Sequence, residues 1–247
     1  EGMGATYARA VKARHVALST LLTIVLLAPF IGLHLVLVTV LAAFISLFFS
    51  QLYWWEGPAI VIAFGVFCGQ LVVGWSNDVI DYQDDLFHSR QKKPLVSGQI
   101  SLRLLQNSLR FVLPIAIVIN LFGPLGLIGG GLSVLAIGLA VAYNFYFKFT
   151  VFSWVPYAIA FGSLPSCMAL SKGEAPALWM WLGGALFGTA AHFLNVIKDM
   201  EQDKASGIKG LPQRLGTKAS LVTAIVLIAA AVVLILLTFT SLPVAAP

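Results

Sequence analysis

Read by hydropathy, the chain is a series of long apolar runs separated by short polar breaks. Residues 16–55 carry no charge, and His34 is the one histidine within them. The run is far longer than the roughly 7–15 apolar residues of a cleaved leader, so it predicts a retained first span. No polar turn divides its 40 residues; one long tilted helix and a helix with a membrane-embedded extension both fit. Glu56-Gly57-Pro58 ends it, and further apolar runs predict helices over about 59–76, 102–121, 125–147, 151–170, 177–197 and 219–240. Phe122-Gly123-Pro124 and the 171–176 segment supply turns, and polar loops fill 79–101 and 198–218. A membrane helix needs about 20 mostly apolar residues. The pattern therefore predicts an all-α polytopic transmembrane bundle of about seven spans, a single domain over residues 1–247.

Composition narrows the class further. Of 247 residues, 59% are hydrophobic and 10% charged, against roughly a quarter charged in a soluble domain. This excludes a disordered chain, a disulfide scaffold and a free-standing nucleic-acid-binding domain. Cys68 and Cys167 lie inside apolar runs and read as small core hydrophobes. The net charge of +5 is explained by where the cations sit. Alternating the spans puts the N-terminus, the 79–101 loop, Lys148 and the 198–218 loop on one side of the membrane. Of 15 Lys and Arg residues only Lys172 falls on the other, and Arg110 lies within snorkelling reach of the first. By the positive-inside rule that side is the cytoplasm, in a multi-pass protein of the cell membrane. The basic surplus is topological, and nucleic acid is not an expected partner.

The acidic residues are more informative. Seven of ten fall in two clusters, at the ends of the 59–76 and 177–197 spans, both on the cytoplasmic side. Aligned on their asparagines, Asn77, Asp81, Asp85 and Asn195, Asp199, Asp203 form the same N-x-x-x-D-x-x-x-D pattern, 118 residues apart. The spacing of four lines each triplet along one helical face, and the repeat suggests two related halves, about 1–122 and 123–240. Two rows of oxygen donors repel each other without a counter-ion and suit a hard cation such as Mg²⁺, which takes carboxylates together with water and phosphate oxygens. Arg90, Lys92 and Lys93 follow the first row, Lys204, Lys209 and Arg214 the second, and Lys148 closes the 125–147 span beside Tyr143 and Asn144. Such cations bind diphosphate oxygens and stabilise a leaving group. His192, three residues before Asn195, reads as a satisfied bundle histidine rather than a ligand.

The run Asn77-Asp78-x-x-Asp81-x-x-x-Asp85 with Lys93-Pro94-x-x-x-Gly98-x-Ile100-Ser101 resembles the UbiA superfamily of intramembrane prenyltransferases. So do Tyr143 through Lys148, the Ser153-Trp154-x-Pro156-Tyr157-Ala158 run, His192-x-x-Asn195-x-x-x-Asp199-x-x-x-Asp203, and Gly207-x-x-Gly210-Leu211-Pro212-x-Arg214-Leu215-Gly216. The resemblance implies that Asn77, Asp81, Asp85, Asn195, Asp199 and Asp203 bind Mg²⁺ bridged by a prenyl diphosphate, with Asp78 in support. It puts Asp81, Asp199, Lys148 and Tyr143 at the reacting centre, and Lys93, Arg90, Lys148, Lys198 and Arg214 on the diphosphate. Lys93 stands where the family usually has arginine, which keeps the charge and loses the bidentate fork. The family has nine transmembrane helices against seven counted here, so its last two are expected to be missing from this sequence. The implied reaction is transfer of an isoprenoid chain from a prenyl diphosphate to a small hydrophobic acceptor, commonly aromatic, within the lipid bilayer. A membrane terpene cyclase would use the same motifs without an acceptor, and a phosphoribosyl transferase is a more distant branch. From another class, a secondary transporter would carry its ionisable groups near the bilayer midplane; here they lie at helix ends.

Overall fold

The computed structural model describes residues 57–240, with two isolated helical positions at 42 and 45. Apart from those two positions, the predicted first span over 16–55 lies outside the described residues. From residue 57 onward every predicted span becomes a helix. These are α1 (Gly57–Ile80), α3 (Leu102–Phe122), α4 (Gly126–Phe145), α5 (Val155–Ser171), α6 (Gly184–Ile197) and α9 (Thr217–Thr240). The two polar loops hold short helices: α2 (Tyr82–Phe87) in the first, α7 (Met200–Ala205) and α8 (Leu211–Leu215) in the second. A single 3₁₀ turn, Phe147–Phe149, follows α4, and a π-helical turn, Trp179–Gly183, leads into α6. Among the described residues there is no strand.

Five segments are long and apolar enough to cross a membrane: α1, α3, α4, α9 and the combined Trp179–Ile197. The α5 helix has 17 residues, about 26 Å at 1.5 Å per residue. It starts later than the apolar run suggests because Pro156 sits in its first turn, where a missing N–H costs nothing. Residues 151–154 form a turn instead. At the other end of α3, Gly123-Pro124 turns the chain as the sequence predicts.

In sequence order the neighbours pack as α1 on α3 and α4, α4 on α5, α5 on α6, and α6 on α9. Trp75, Leu71 and Cys68 of α1 meet Leu105, Val112 and Ala116 of α3. Cys167 of α5 joins Ile62 and Leu125 in a second cluster, so both cysteines are buried and free, as expected. Ile60, Leu127, Ile128 and Val222 face outward, as they can where the solvent is lipid.

Lipid tails are as apolar as leucine, so close fit and buried polar pairs must hold the helices together. Gly184 and Gly188 supply the close fit between α6 and α5. A Cβ on Gly184 would stand 2.6 Å from the Phe161 carbonyl oxygen, and one on Gly188 would collide with that of Tyr157. Asn120 supplies the polar pair. Fully buried on α3, its amide donates to the Gly65 and Ala116 carbonyls at 3.2 and 2.8 Å and accepts from Ser133 Oγ of α4 at 2.8 Å.

Candidate active site

The first acidic row sits where α1 gives way to α2. The helix bends at Asp81, yet Asp81 N–H still donates to Asn77 O and Asp85 N–H to Asp81 O, at 2.9 and 2.8 Å. Asn77, Asp81 and Asp85 therefore remain on one stripe. Asn77 spends its amide N–H groups on Asp81 Oδ2 (3.1 Å) and Asn144 Oδ1 (2.9 Å), which leaves its carbonyl oxygen for another partner. Lys148, buried just after α4, donates to Asp81 Oδ1 at 2.6 Å.

Asp85, expected among the metal ligands, is held by the basic loop that follows it. It is 1% exposed, with Oδ1 held by Arg90 at 2.8 Å and Oδ2 by Lys93 at 2.6 Å. Both oxygens are in use, and the carboxylate works as the anchor of the basic loop. Lys93 also reaches Asp78 Oδ1 at 3.1 Å. Burial disfavours the charged Lys93 amine, but Asp78 and Asp85 together outweigh it and hold its pKa above the ordinary lysine value.

The second row runs from the end of α6 into α7. Asn195 repeats the use made of Asn77: its amide donates to Tyr157 OH at 3.5 Å, leaving its carbonyl oxygen free of that bond. Asp199 is half-exposed, with Lys198 3.9 Å away. Asp203 Oδ2 accepts from Gln213 Nε2 at 2.9 Å. Burial pushes the Asp203 carboxyl above its usual pKa and the Asp199 charge adds to this, while Gln213, Arg90 and Lys148 pull it back. Tyr143 precedes Asn144, the partner of Asn77, at the end of α4. Its ring meets Tyr157 and His192 edge-on at 5.5 and 5.6 Å.

The rows are joined by shared cations and one hydroxyl. Arg90 bonds Ser206 Oγ at 3.3 Å, and that hydroxyl donates to Asp84 Oδ2 at 3.1 Å, linking the two polar loops directly. Arg214 does not join the cluster: it is exposed, and its Nε donates to the Lys209 carbonyl at 2.8 Å. Lys198 is also solvent-facing.

Among the described residues, no three of Asp, Glu, His and Cys converge as a ready-made metal cluster. The donor set nevertheless fits Mg²⁺, whose sites commonly combine one or two carboxylates with water and substrate phosphate oxygens. Asp81, Asp199, Asp203 and the carbonyl oxygens of Asn77 and Asn195 are the candidates. Two buried donors beside the rows, Arg90 Nε and Asn144 Nδ2, have no hydrogen-bond partner; both suit an anionic ligand.

Some of this escapes sequence reasoning. Gln213 is buried on α8, a helix held by Ser153: its hydroxyl accepts from Leu211 N–H at 3.0 Å and meets His192 Nε2 at 2.9 Å. His192 is a buried bundle histidine tied through Ser153 to the loop that carries Gln213, but its Nδ1 has no hydrogen-bond partner, so it is not the fully satisfied histidine the sequence suggests. The nearest sequence signal is the Gly210-Leu211-Pro212 turn. A Cβ on Gly210 would stand 2.8 Å from Ser153 Oγ.

Two asparagine–aspartate rows and their cations thus gather at one polar end of a bundle of membrane-length helices, the arrangement of an intramembrane enzyme. The chain is a member of the UbiA prenyltransferase family, whose profile matches residues 36–247. It is similar to digeranylgeranylglyceryl phosphate synthase of Sulfolobus acidocaldarius, 26% identical over 155 residues, which are 60% of this chain and 54% of that protein. The chain thus spans about half the length of this curated relative. Its fold is similar to the structure solved in work on digeranylgeranylglyceryl phosphate synthase in membranes, with a TM-score of 0.64 and 22% identity, covering 90% of this chain and 77% of that one.

Proposed function

We propose that this protein is a Mg²⁺-dependent intramembrane prenyltransferase, its active site facing the cytoplasm, that moves an isoprenoid chain from an allylic diphosphate to a small hydrophobic, commonly aromatic, acceptor. The observation that carries this reading is the position of Lys148. Its ammonium is buried and lies 2.6 Å from Asp81 of the first row, a cation held at the polar end of the bundle where a diphosphate would sit. The name of the Sulfolobus relative, a synthase of a prenylated glyceryl phosphate, supports the same reaction class.

Mg²⁺, when bound, would neutralise diphosphate charge and favour loss of pyrophosphate. The candidate residues to hold it are Asn77, Asp81, Asn195, Asp199 and Asp203. Lys148 and Arg90 present cationic donors to the diphosphate, and Lys93 keeps Asp78 and Asp85 from repelling it. As the C–O bond breaks, both electrons leave with pyrophosphate and the allylic carbon becomes cationic. The ring faces of Tyr143 and Tyr157 stabilise that charge, and the apolar helices below keep out water that would quench it. The acceptor then attacks the carbon and releases a proton.

Detergent-solubilised protein supplied with geranyl, farnesyl or geranylgeranyl diphosphate should release pyrophosphate in a Mg²⁺-dependent manner once an aromatic acceptor is added. Asp81→Ala and Asp199→Ala should each abolish it, Asp199→Ala with little change in melting behaviour because that side chain is half-exposed; near-normal rates in either variant overturn the proposal. Release of equal size without acceptor points to cyclisation instead.

A further inference from the structure

The two acidic rows are alike in sequence and differ in backbone. In the first, the N–H groups of Asp81 and Asp85 each reach back four residues, so the row keeps one stripe. In the second, Asp199 N–H bonds the Val196 carbonyl at 3.1 Å, three residues back. Asp199 itself (φ −112°, ψ 9°) has left helical geometry. The helix is thus broken between Asn195 and Asp203. The α7 helix that carries Asp203 has six residues, and the Asp199 side chain does not cap it. Helix continuity therefore does not fix where Asp203 points relative to Asn195.

The neighbouring α8 does. It is pinned to the bundle at two points: Leu211 N–H donates to Ser153 Oγ at 3.0 Å, and Ser220 Oγ of α9 donates to the Pro212 carbonyl at 3.1 Å. Both serines are fully buried. From this base Gln213, itself buried, sends Nε2 to Asp203 Oδ2 at 2.9 Å. Gly210 makes the room, since a Cβ there would stand 2.6 Å from Gln213 Oε1. An ionised carboxylate only accepts, so the amide must turn its N–H side to Asp203. That choice leaves Gln213 Oε1 buried with no hydrogen-bond partner, a cost that a hydrocarbon side chain at 213 would not incur.

The donor's neutrality is the informative part. Asp85, the counterpart of Asp203 in the first row, has one oxygen on a guanidinium and the other on an ammonium. Its charge is already answered. Asp203 receives a neutral amide on one oxygen, and among the described residues its Oδ1 takes no hydrogen bond or ion pair. An amide steadies a carboxylate without cancelling its charge, as the outer partners of metal ligands commonly do. We infer that Gln213 is a positioning residue, which stands in for the broken helix and holds Asp203 with Oδ1 and its full negative charge open to a divalent cation. This rests on the reading of Asp203 as one of the residues that hold Mg²⁺.

The test uses the whole chain in phosphatidylcholine nanodiscs, with Mn²⁺ as the probe and farnesyl thiolodiphosphate, which resists ionisation, as the bound diphosphate. Protein-dependent uptake is read from loss of the free Mn²⁺ electron paramagnetic resonance signal. Two substitutions separate holding the loop from presenting the charge. Gln213→Met keeps the shape and removes the hydrogen bond; it should weaken Mn²⁺ uptake about tenfold, the low end of what such outer partners contribute to metal affinity. In turnover of farnesyl diphosphate, the Mg²⁺ concentration for half-maximal pyrophosphate release should rise by a similar factor, with the plateau rate regained at saturating Mg²⁺. Gln213→Lys keeps a donor on Asp203, and so keeps the loop tied, but answers its charge as Asp85 is answered. Its uptake should fall further than that of Gln213→Met. Were the loop tie the whole role, Gln213→Lys would bind Mn²⁺ as wild type does, and that result overturns the inference. So does wild-type uptake in Gln213→Met. If Gln213→Met fails to fold, Gln213→Lys decides alone, because it retains the tie. A wild type with no protein-dependent Mn²⁺ uptake overturns the metal reading and this inference with it, whereas the other two failures leave that reading standing.

Discussion

The sharpest contrast among single residues is between two aspartates of the same motif. Asp81 keeps one oxygen near Asn77 and one near Lys148 at the site, whereas Asp85 is buried between Arg90 and Lys93. Removing one member of a buried pair leaves the other without compensation, a loss of about 3 kcal/mol where the cations keep some access to water. Asp85→Asn should therefore lower the melting temperature markedly. Lys198→Ala breaks an exposed contact at 3.9 Å, and such pairs contribute about 0–1 kcal/mol; it should leave melting nearly unchanged. Equal shifts in the two variants would contradict this division. Spacing and the family resemblance placed Asp85 with the metal ligands; a period of four reports which face a residue shares. It does not report that Arg90 and Lys93, five and eight residues on, fold back to occupy it.

At the scale of elements, hydropathy located the described spans well, since lipid exposure makes each apolar run continuous. The boundaries that moved are those set by other forces. The α5 helix starts late, at Val155 with Pro156 in its first turn, and α4 stops at Phe145 where Tyr146 leaves helical geometry (φ −131°). Nor did the sequence disclose how helices choose partners, because contacts such as Ser153 with His192 join residues 39 apart. The pairing of α5 with α6 depends on Gly188 lying against the Tyr157 carbonyl. Gly188→Val should push the helices apart and cost about 2 kcal/mol as overpacking. The readout is earlier thermal unfolding of the solubilised protein together with lost activity, since Tyr157 would move with α5. A melting curve matching wild type would show that the helices have room to spare.

Across the whole molecule, the two acidic rows meet because their loops are tied together. Arg90 reaches Ser206, and Ser206 reaches Asp84, across more than a hundred residues of chain. Ser206→Ala removes the shared hydroxyl and leaves only electrostatics between the loops. Backbone amides in 82–90 and 200–206 should then exchange with deuterium faster, while those of the spans stay protected. Unchanged exchange in both loops would mean that the rows are held by the spans alone. This long-range tie was beyond the reach of sequence patterns, although the repeated motif had already indicated that two distant segments share one task.

Asn120 links this architecture to the order in which it is made. Its amide finds Gly65 on α1, synthesised earlier, and its carbonyl oxygen receives Ser133 from α4, synthesised later. While α3 is the newest helix in the membrane, one side of the asparagine is already matched and the other still awaits its donor. The growing chain thus has a reason to retain α3 beside α1 until α4 arrives, so that three helices leave the insertion machinery as a set.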